Sequence, residues 1–282
     1  MIGIIGNGVV GQRIDRFYSI AQFQTKVYDI DRSRSKNSLE TLVSECSVIF
    51  VCVPTPTVSG SQDSSHIEQV FHSLNTLNFL GLVILKSTVV PGTSRRLSET
   101  YLNLNIAHSP EFLNVTGDEK DILKAPQIIY GFQDFSSYKK WESLINKISK
   151  PIESSKIITC LYEESEIIKY ACNVFYAVKN TYFNLLRLAC ENLQIDFNLV
   201  REVSVQNGWI HPMHTFSPGR DGLRGFSGMC LPKDLKAFMS WCSKRDLPYD
   251  LFIDVENLNT QFREMPMEEE QTNWEKYFYG QS

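Results

Sequence analysis

The chain opens on an apolar run, MIGII, and similar runs recur as KVYDI, CSVIFVCVP, GLVILKST, LNIAHSPEFL and QIIYGF. CSVIFVCVP and GLVILKST are continuously apolar and stop at Pro or polar residues, the pattern of parallel strands buried on both faces. A helical pattern, GVVGQRIDRF, follows the first run. This alternation predicts an α/β domain with a Rossmann-like doubly wound sheet over residues 1–160. From Glu163 the period changes: EESEIIKYACNVFYAVKNTYFNLLRLACENLQI carries apolar residues at helical spacing over about nine turns, with no Pro or Gly. Such a helix predicts the spine of an all-helical domain, residues 161–265, or a subunit interface. The last stretch, PMEEEQTNWEKYFYGQS at 266–282, is expected to form a partly ordered acidic tail.

The first strand meets the first helix at G-x-G-x-x-G, formed by Gly6, Gly8 and Gly11. In a dinucleotide cradle one glycine makes the tight turn, one admits a pyrophosphate, and one lets helix and strand pack closely. The helix behind them points free N–H groups and a positive dipole end at the phosphates. The glycines alone would also suit a structural turn in another βα unit. KVYDI sharpens the reading, because Asp29 stands 18 residues after Gly11, near the distance of a ribose-binding carboxylate. Such a carboxylate accepts from the ribose diol and repels a 2′-phosphate, which favours NAD. Arg32 and Arg34 follow closely and are residues of the type that holds that phosphate. Ligands in open α/β sheets collect beyond the carboxyl ends of the strands. That places Pro54, Thr55, Thr88 and Glu111 along one rim, although a simple turn accounts equally well for Pro54-Thr55-Pro56.

On the long helix, Lys169 and Asn173 are four residues apart and share a face. They interrupt an apolar environment; a solvated pair on an exposed stripe is the plainer reading. HTFSPGRDGLRGFSGMCLPKDLKAFMSWC follows, a loop rich in Gly that can come close to a ligand. Pro232 suits a first helical turn. Cys230 is therefore expected at or just before a helix N-terminus, where the dipole favours a thiolate, with Asp234 on the same face. Most lone cysteines are buried and inert, and Cys230 is the expected exception.

Composition narrows the classes. The formal charge is −4 and the pI near 5.8, which argues against a nucleic-acid-coating surface. The seven cysteines include no C-x-x-C pair, so a reducing compartment is expected rather than a disulfide framework. No signal-peptide pattern and no apolar stretch of membrane-spanning length stands out, and a cytoplasmic location is expected. His66, His72, His108, His211 and His214 form no convincing metal pattern, including His211-Pro-Met-His214.

KSTVVPGTS, SPEFL, EIIKYACNVF and GFSGMCLPKDLKA, in this order behind the glycine strand, resemble the UDP-glucose/GDP-mannose dehydrogenase family from Met1 to about residue 262. The resemblance implies oxidation of a nucleotide-sugar C6 alcohol to a carboxylic acid with two NAD, most readily UDP-glucose to UDP-glucuronate. It implies Cys230 as the thiol that forms a thiohemiacetal and then a thioester. Lys169 and Asn173 are implied to stabilise the oxyanions, and Asp234 to transfer protons. Thr88 and Glu111 are implied to position the hydrolytic water. The implied cofactor contacts are Gly6, Gly8, Val10, Gly11, Asp29, Arg34, Pro54, Thr55, Thr88 and Lys233. The implied substrate contacts are Glu111, Phe112, Leu113, Lys169, Asn173, Gly225, Phe226 and Ser227.

Three departures accompany the resemblance. Val115 stands where the family usually has Glu, and Ser227 where it has Gly. The family's third, nucleotide-gripping domain is expected to be missing, which would leave room for a partner chain supplying it. A homodimer through the long helix is also implied. Two other readings stay open: a two-electron hydroxyacid dehydrogenase using Lys169 and Asn173 but not Cys230, and an impaired NAD- or nucleotide-sugar-binding subunit.

Overall fold

The computed structural model describes residues 1–112, 127–152 and 156–266. The chain divides into two compact units after Lys169.

The first unit is built on a seven-stranded sheet in the order β2-β1-β3-β6-β7-β8-β9. Its strands are β1 (Ile2–Ile5), β2 (Thr25–Tyr28), β3 (Val48–Val51), β6 (Leu82–Leu85), β7 (Asn105–His108), β8 (Gln127–Phe132) and β9 (Lys156–Leu161). A separate hairpin pairs β4 (Thr57–Val58) with β5 (Ser61–Gln62). The helices are α1 (Val9–Ile20), α2 (Leu39–Glu45), α3 (Ser65–Thr76), α4 (Thr93–Thr100) and α5 (Phe135–Ser149). The five strands from β2 to β7 run parallel, whereas β8 lies antiparallel to β7 and parallel to β9.

The continuous apolar runs have the cause the pattern predicts. Successive residues of a strand point to opposite faces, and both faces of this sheet are covered. Ile4, Phe50, Leu82 and Ile84 pack with Ile14, Phe17 and Tyr18 of α1, whereas Ile5, Ile49, Val51, Val83 and Leu85 pack with Phe71 and Leu74 of α3. All of β1, β3 and β6 is buried. With roughly 1.5–3 kcal/mol for each large apolar side chain removed from water, these two layers dominate the unit's stability. Stacking them sets the strand ends, and therefore the loops, on a rigid base.

The long helix α6 (Tyr162–Asn192) begins in the first unit and runs on into the second. The second unit adds α7 (Phe197–Gln206), α8 (Leu231–Ser243) and α9 (Asp250–Glu264). Phe183 and Cys190 of α6 pack with Phe197 of α7. Phe238 of α8 stacks on Tyr170 and on Trp241 and meets Phe252 of α9 edge-on. Among the described residues no helix is long and apolar enough to cross a membrane. The expectations for Leu113 and Val115 and for residues 267–282 fall outside the described residues.

Candidate active site

The glycine loop between β1 and α1 separates into three local problems. Gly6 has φ +92, and a Cβ there would stand 2.7 Å from the Cys52 carbonyl oxygen. Gly11 allows a closer approach still, since its Cβ would fall 1.9 Å from the Gly6 oxygen. The chain itself therefore requires both. Gly8 is different: its φ of −80 and ψ of −162 are open to any residue, and an added Cβ would meet nothing within 4 Å. Its missing side chain leaves clear space before the N-terminus of α1, which has no side-chain cap. Uncapped N–H groups and the helix dipole suit a pyrophosphate in that space. Val10, in the first turn, is half-buried.

Asp29 lies just beyond β2. Its Oδ2 accepts from Asn7 N at 2.6 Å and its Oδ1 from Asp31 N at 2.9 Å. Asn7 Nδ2 donates to the Arg34 carbonyl oxygen at 2.7 Å. The carboxylate is thereby aimed from the glycine loop, and each oxygen keeps a lone pair for a ribose hydroxyl. The Arg34 guanidinium lies 3.3 Å from Asp31 Oδ2. Hydrogen bonds from the Ser33 hydroxyl and N–H, and then the charge of Arg34, hold the Asp31 carboxyl below its usual range. Asp31 thus stays ionised beside Arg34, which makes the pair a poor seat for a 2′-phosphate. These residues fit NAD.

Along the carboxyl rim of the sheet, Thr55 Oγ1 donates to the Thr88 carbonyl oxygen at 2.9 Å and Gln62 Nε2 to the same oxygen at 3.0 Å. Val90 N returns a bond to Gln62 Oε1 at 3.0 Å, so Thr88 is fixed from both sides. Pro54 precedes Thr55 in the loop after β3. Glu111 pairs through Oε2 with Lys86 Nζ at 3.4 Å, and its Oε1 accepts from Phe112 N at 2.8 Å. Lys169 Nζ donates to the Glu111 carbonyl oxygen and stands 4.8 Å from the centre of the Phe112 ring.

The first turns of α6 explain how Lys169 reaches that rim. Tyr162 Oη donates to the Ile106 carbonyl oxygen at 2.9 Å. Ser165 Oγ donates to Tyr162 O at 2.8 Å, so at its 2.7 Å contact with His108 the imidazole Nδ1–H is the donor. Burial, with help from the charge of Lys86, pushes His108 down to about 3 and keeps it neutral. Glu166, fully buried, accepts from Gly92 N and Ser94 N at 2.7 Å each and so caps α4. Burial pushes its carboxyl up to about 7 despite those bonds. Sequence reasoning missed Lys86, His108 and Glu166 as residues of this region. Lys86 does show one signal there, a cation at the end of a wholly apolar strand.

In the second unit Asn173 Nδ2 donates to Asp234 Oδ2 at 2.6 Å, and both side chains are buried. Lys233 Nζ pairs with the other carboxylate oxygen. Cys230 is the N-cap of α8 with its side chain part-exposed, and its carbonyl oxygen accepts from Asp234 N at 3.0 Å. Pro232 occupies the first helical turn and spares the helix one unsatisfied N–H. Cys230 and Asp234 are therefore one turn apart on α8, and Asn173 fixes the carboxylate. Gly225, Phe226 and Ser227 lie in the irregular segment just ahead.

A Rossmann-like α/β unit whose first strand-to-helix turn suits a dinucleotide, followed by a helical unit, defines the class of NAD-binding α/β folds. The chain belongs to the UDP-glucose/GDP-mannose dehydrogenase family: residues 33–152 match its NAD binding domain and residues 163–261 its central domain. Similar curated proteins include YtcA of Bacillus subtilis, 30% identical over 236 residues, covering 80% of this chain and 52% of that protein. A GDP-mannose 6-dehydrogenase of Pseudomonas aeruginosa is 26% identical over 77% of this chain and 52% of its own length. The chain thus spans about half the length of the curated relatives it matches. Among solved structures, a UDP-glucose dehydrogenase of Pyrobaculum islandicum superposes with a TM-score of 0.81 at 23% identity, covering 92% of this chain and 68% of that one. A 3-hydroxyisobutyrate dehydrogenase of Mycobacterium tuberculosis shares the fold at a TM-score of 0.71 and 17% identity, covering 93% of this chain and 92% of its own.

Proposed function

We propose that the chain oxidises the C6 alcohol of a nucleotide-sugar, UDP-glucose first among them, to the carboxylate in two successive two-electron steps. The observation that carries the reading is the group on α8 and α6: a half-exposed thiol at a helix N-terminus, one turn from a buried carboxylate held by Asn173. A plain alcohol dehydrogenase has no use for that thiol.

NAD, when bound, accepts the hydride that each oxidation releases. In the first oxidation the alcohol loses a hydride from C6 and a proton from its oxygen, giving an aldehyde. Asp234, with Lys233 on one oxygen and Asn173 on the other, takes part in the proton transfer. The Cys230 sulfur then bonds to the aldehyde carbon, and its proton is lost to base. In this reading the Asn173 amide and the Lys169 ammonium stabilise the tetrahedral oxyanion, as donors of the kind such a developing charge calls for. Loss of a second hydride converts this adduct to a thioester. Water, positioned by Thr88 and Glu111, adds to the thioester carbon, and the C–S bond breaks to release the carboxylate and the thiol. Lys86 belongs to this step as the partner that orients Glu111.

Asp29 and the glycine loop hold the adenosine end of the cofactor, and Gly225, Phe226 and Ser227 the substrate. The chain acts as a homodimer in the cytoplasm, where free thiols persist.

Purified chain incubated with NAD and UDP-glucose or GDP-mannose is expected to form NADH and a uronic acid detectable by mass spectrometry. An aldehyde as the end product would favour a two-electron dehydrogenase. NAD binding without turnover of any nucleotide-sugar would favour a binding subunit.

A further inference from the structure

The loop ahead of Cys230 is gripped by α9. Asn259 Oδ1 accepts from Phe226 N at 2.7 Å, and Asn259 Nδ2 donates to Phe226 O at 3.1 Å, so one amide satisfies both backbone groups of one residue. Four residues on, hence on the same helical face, Arg263 Nη1 reaches Asp221 Oδ2 at 2.7 Å and the Arg224 carbonyl oxygen at 3.3 Å. Asp221 closes the circuit: its Oδ1 accepts from Leu223 N at 3.2 Å and its Oδ2 from the Ser227 hydroxyl at 2.8 Å. From α6, buried Asn184 Oδ1 accepts from Gly225 N at 2.9 Å and Ser217 Oγ at 2.7 Å. Gly225 has φ +73, and a Cβ there would come within 2.5 Å of Asn259 Oδ1, so glycine is what permits the grip.

We propose that Asn259 and Arg263 are positioning residues that, with Asp221 and Ser227, latch the Gly225–Ser227 backbone into the pose that receives the nucleotide-sugar. The proposal rests on the function read above. It also accounts for Ser227, which stands where the family resemblance expects glycine, because the serine hydroxyl is committed to Asp221 and ties the far side of the loop to α9. Any loop needs its backbone satisfied, and water does that on most surfaces. Here the satisfying groups are side chains that read consecutive residues, Gly225 and Phe226, from two helices. They stop four residues short of Cys230. The latch therefore sets where the substrate loop sits relative to the thiol.

The test uses the full chain and two readouts. In Asn259→Ala, amide exchange in peptides covering 217–228 is expected to accelerate ~10-fold or more, because two bonds to one backbone unit are lost. Exchange in β1, β3 and β6 should stay unchanged. KM for UDP-glucose should rise ~10-fold, with kcat falling less than about threefold. Asn259→Asp keeps an acceptor for Phe226 N and should recover part of both effects. If Asn259→Ala does not fold, Ser227→Gly releases the Asp221 tie alone and should speed loop exchange ~3-fold. Unchanged loop exchange in the folded variants, or equal losses in KM and kcat with no selective loop effect, would overturn the latch. If no nucleotide-sugar is turned over by the unmodified chain while loop exchange responds as stated, the latch stands and the enzymatic reading falls.

Discussion

Gly8 is the residue at which folding and the proposed cofactor binding can be separated. Among the described residues nothing excludes a side chain there, whereas Gly11 would drive a Cβ into the Gly6 oxygen. Gly8→Val is therefore expected to leave the unfolding midpoint within about 2 °C of the original and to weaken NAD binding at least ~10-fold by calorimetry. Gly11→Ala should instead destabilise the fold by roughly 2–4 kcal/mol. Equal loss of stability in both would show that Gly8 serves packing. Asp234 makes a second case: with Asn173→Ala one oxygen of a buried carboxylate loses its amide donor, at a stability cost of about 1–3 kcal/mol. The same change should slow NADH formation at least ~100-fold, since the proposed oxyanion loses its donor too. A variant that loses stability but keeps its rate would assign Asn173 to structure alone.

Among the elements, the first turns of α6 are where the sheet, α4 and the rim are tied together, and Glu166 gives that junction a measurable signature. Its carboxyl ordinarily titrates near 4.5 and is pushed up to about 7 by burial. Below about 4.5 the folded and unfolded chains both carry the proton. Between about 4.5 and about 7 the folded chain keeps a proton that the unfolded chain has lost, so stability falls as pH rises across this window. The unfolding free energy of the chain, measured against Glu166→Gln, is expected to drop by on the order of 3 kcal/mol from pH 4.5 to 7.5. A pH-independent difference would contradict the burial of that carboxyl as the cause. His108 acts in the opposite sense, losing stability as pH falls below its ordinary 6.5, and it is common to both proteins.

The elements also show how far the sequence could be read. β1, β3 and β6 were legible because burial on both faces writes itself as an uninterrupted apolar run. The turn between β1 and α1, and Asp29 beside it, were legible because Gly6, Gly8, Gly11 and Asp29 keep a recognisable spacing along the chain. The antiparallel direction of β8 was not legible, since a strand's own period says nothing about its partner's direction. The hairpin Thr57–Val58 with Ser61–Gln62 is too short to show a period. Glu166 was invisible because its meaning lies in N–H groups 72 and 74 residues away. Asn259 likewise acts 33 residues back along the chain. Periodicity and motif spacing report local order, and these contacts are made by topology.

For the molecule as a whole, α6 leaves large apolar side chains in water. Phe175 and Tyr182 are 58% and 57% exposed and Leu185 41%, with a spacing of two turns from Phe175 to Tyr182. A second copy of the chain is the expected cover. Light scattering should return about twice the 32.4 kDa chain mass, and Phe175→Glu should shift the protein toward monomer. A monomer at micromolar concentration would rule the dimer out. The proposed function itself stands or falls on the four-electron reaction through Cys230. Its decisive measurement is the NADH formed per nucleotide-sugar consumed, for the chain and for Cys230→Ser side by side. Two NADH per sugar are expected, with the second oxidation lost or stalled in the variant. One NADH per sugar, unaffected by the loss of the thiol, would contradict the four-electron mechanism.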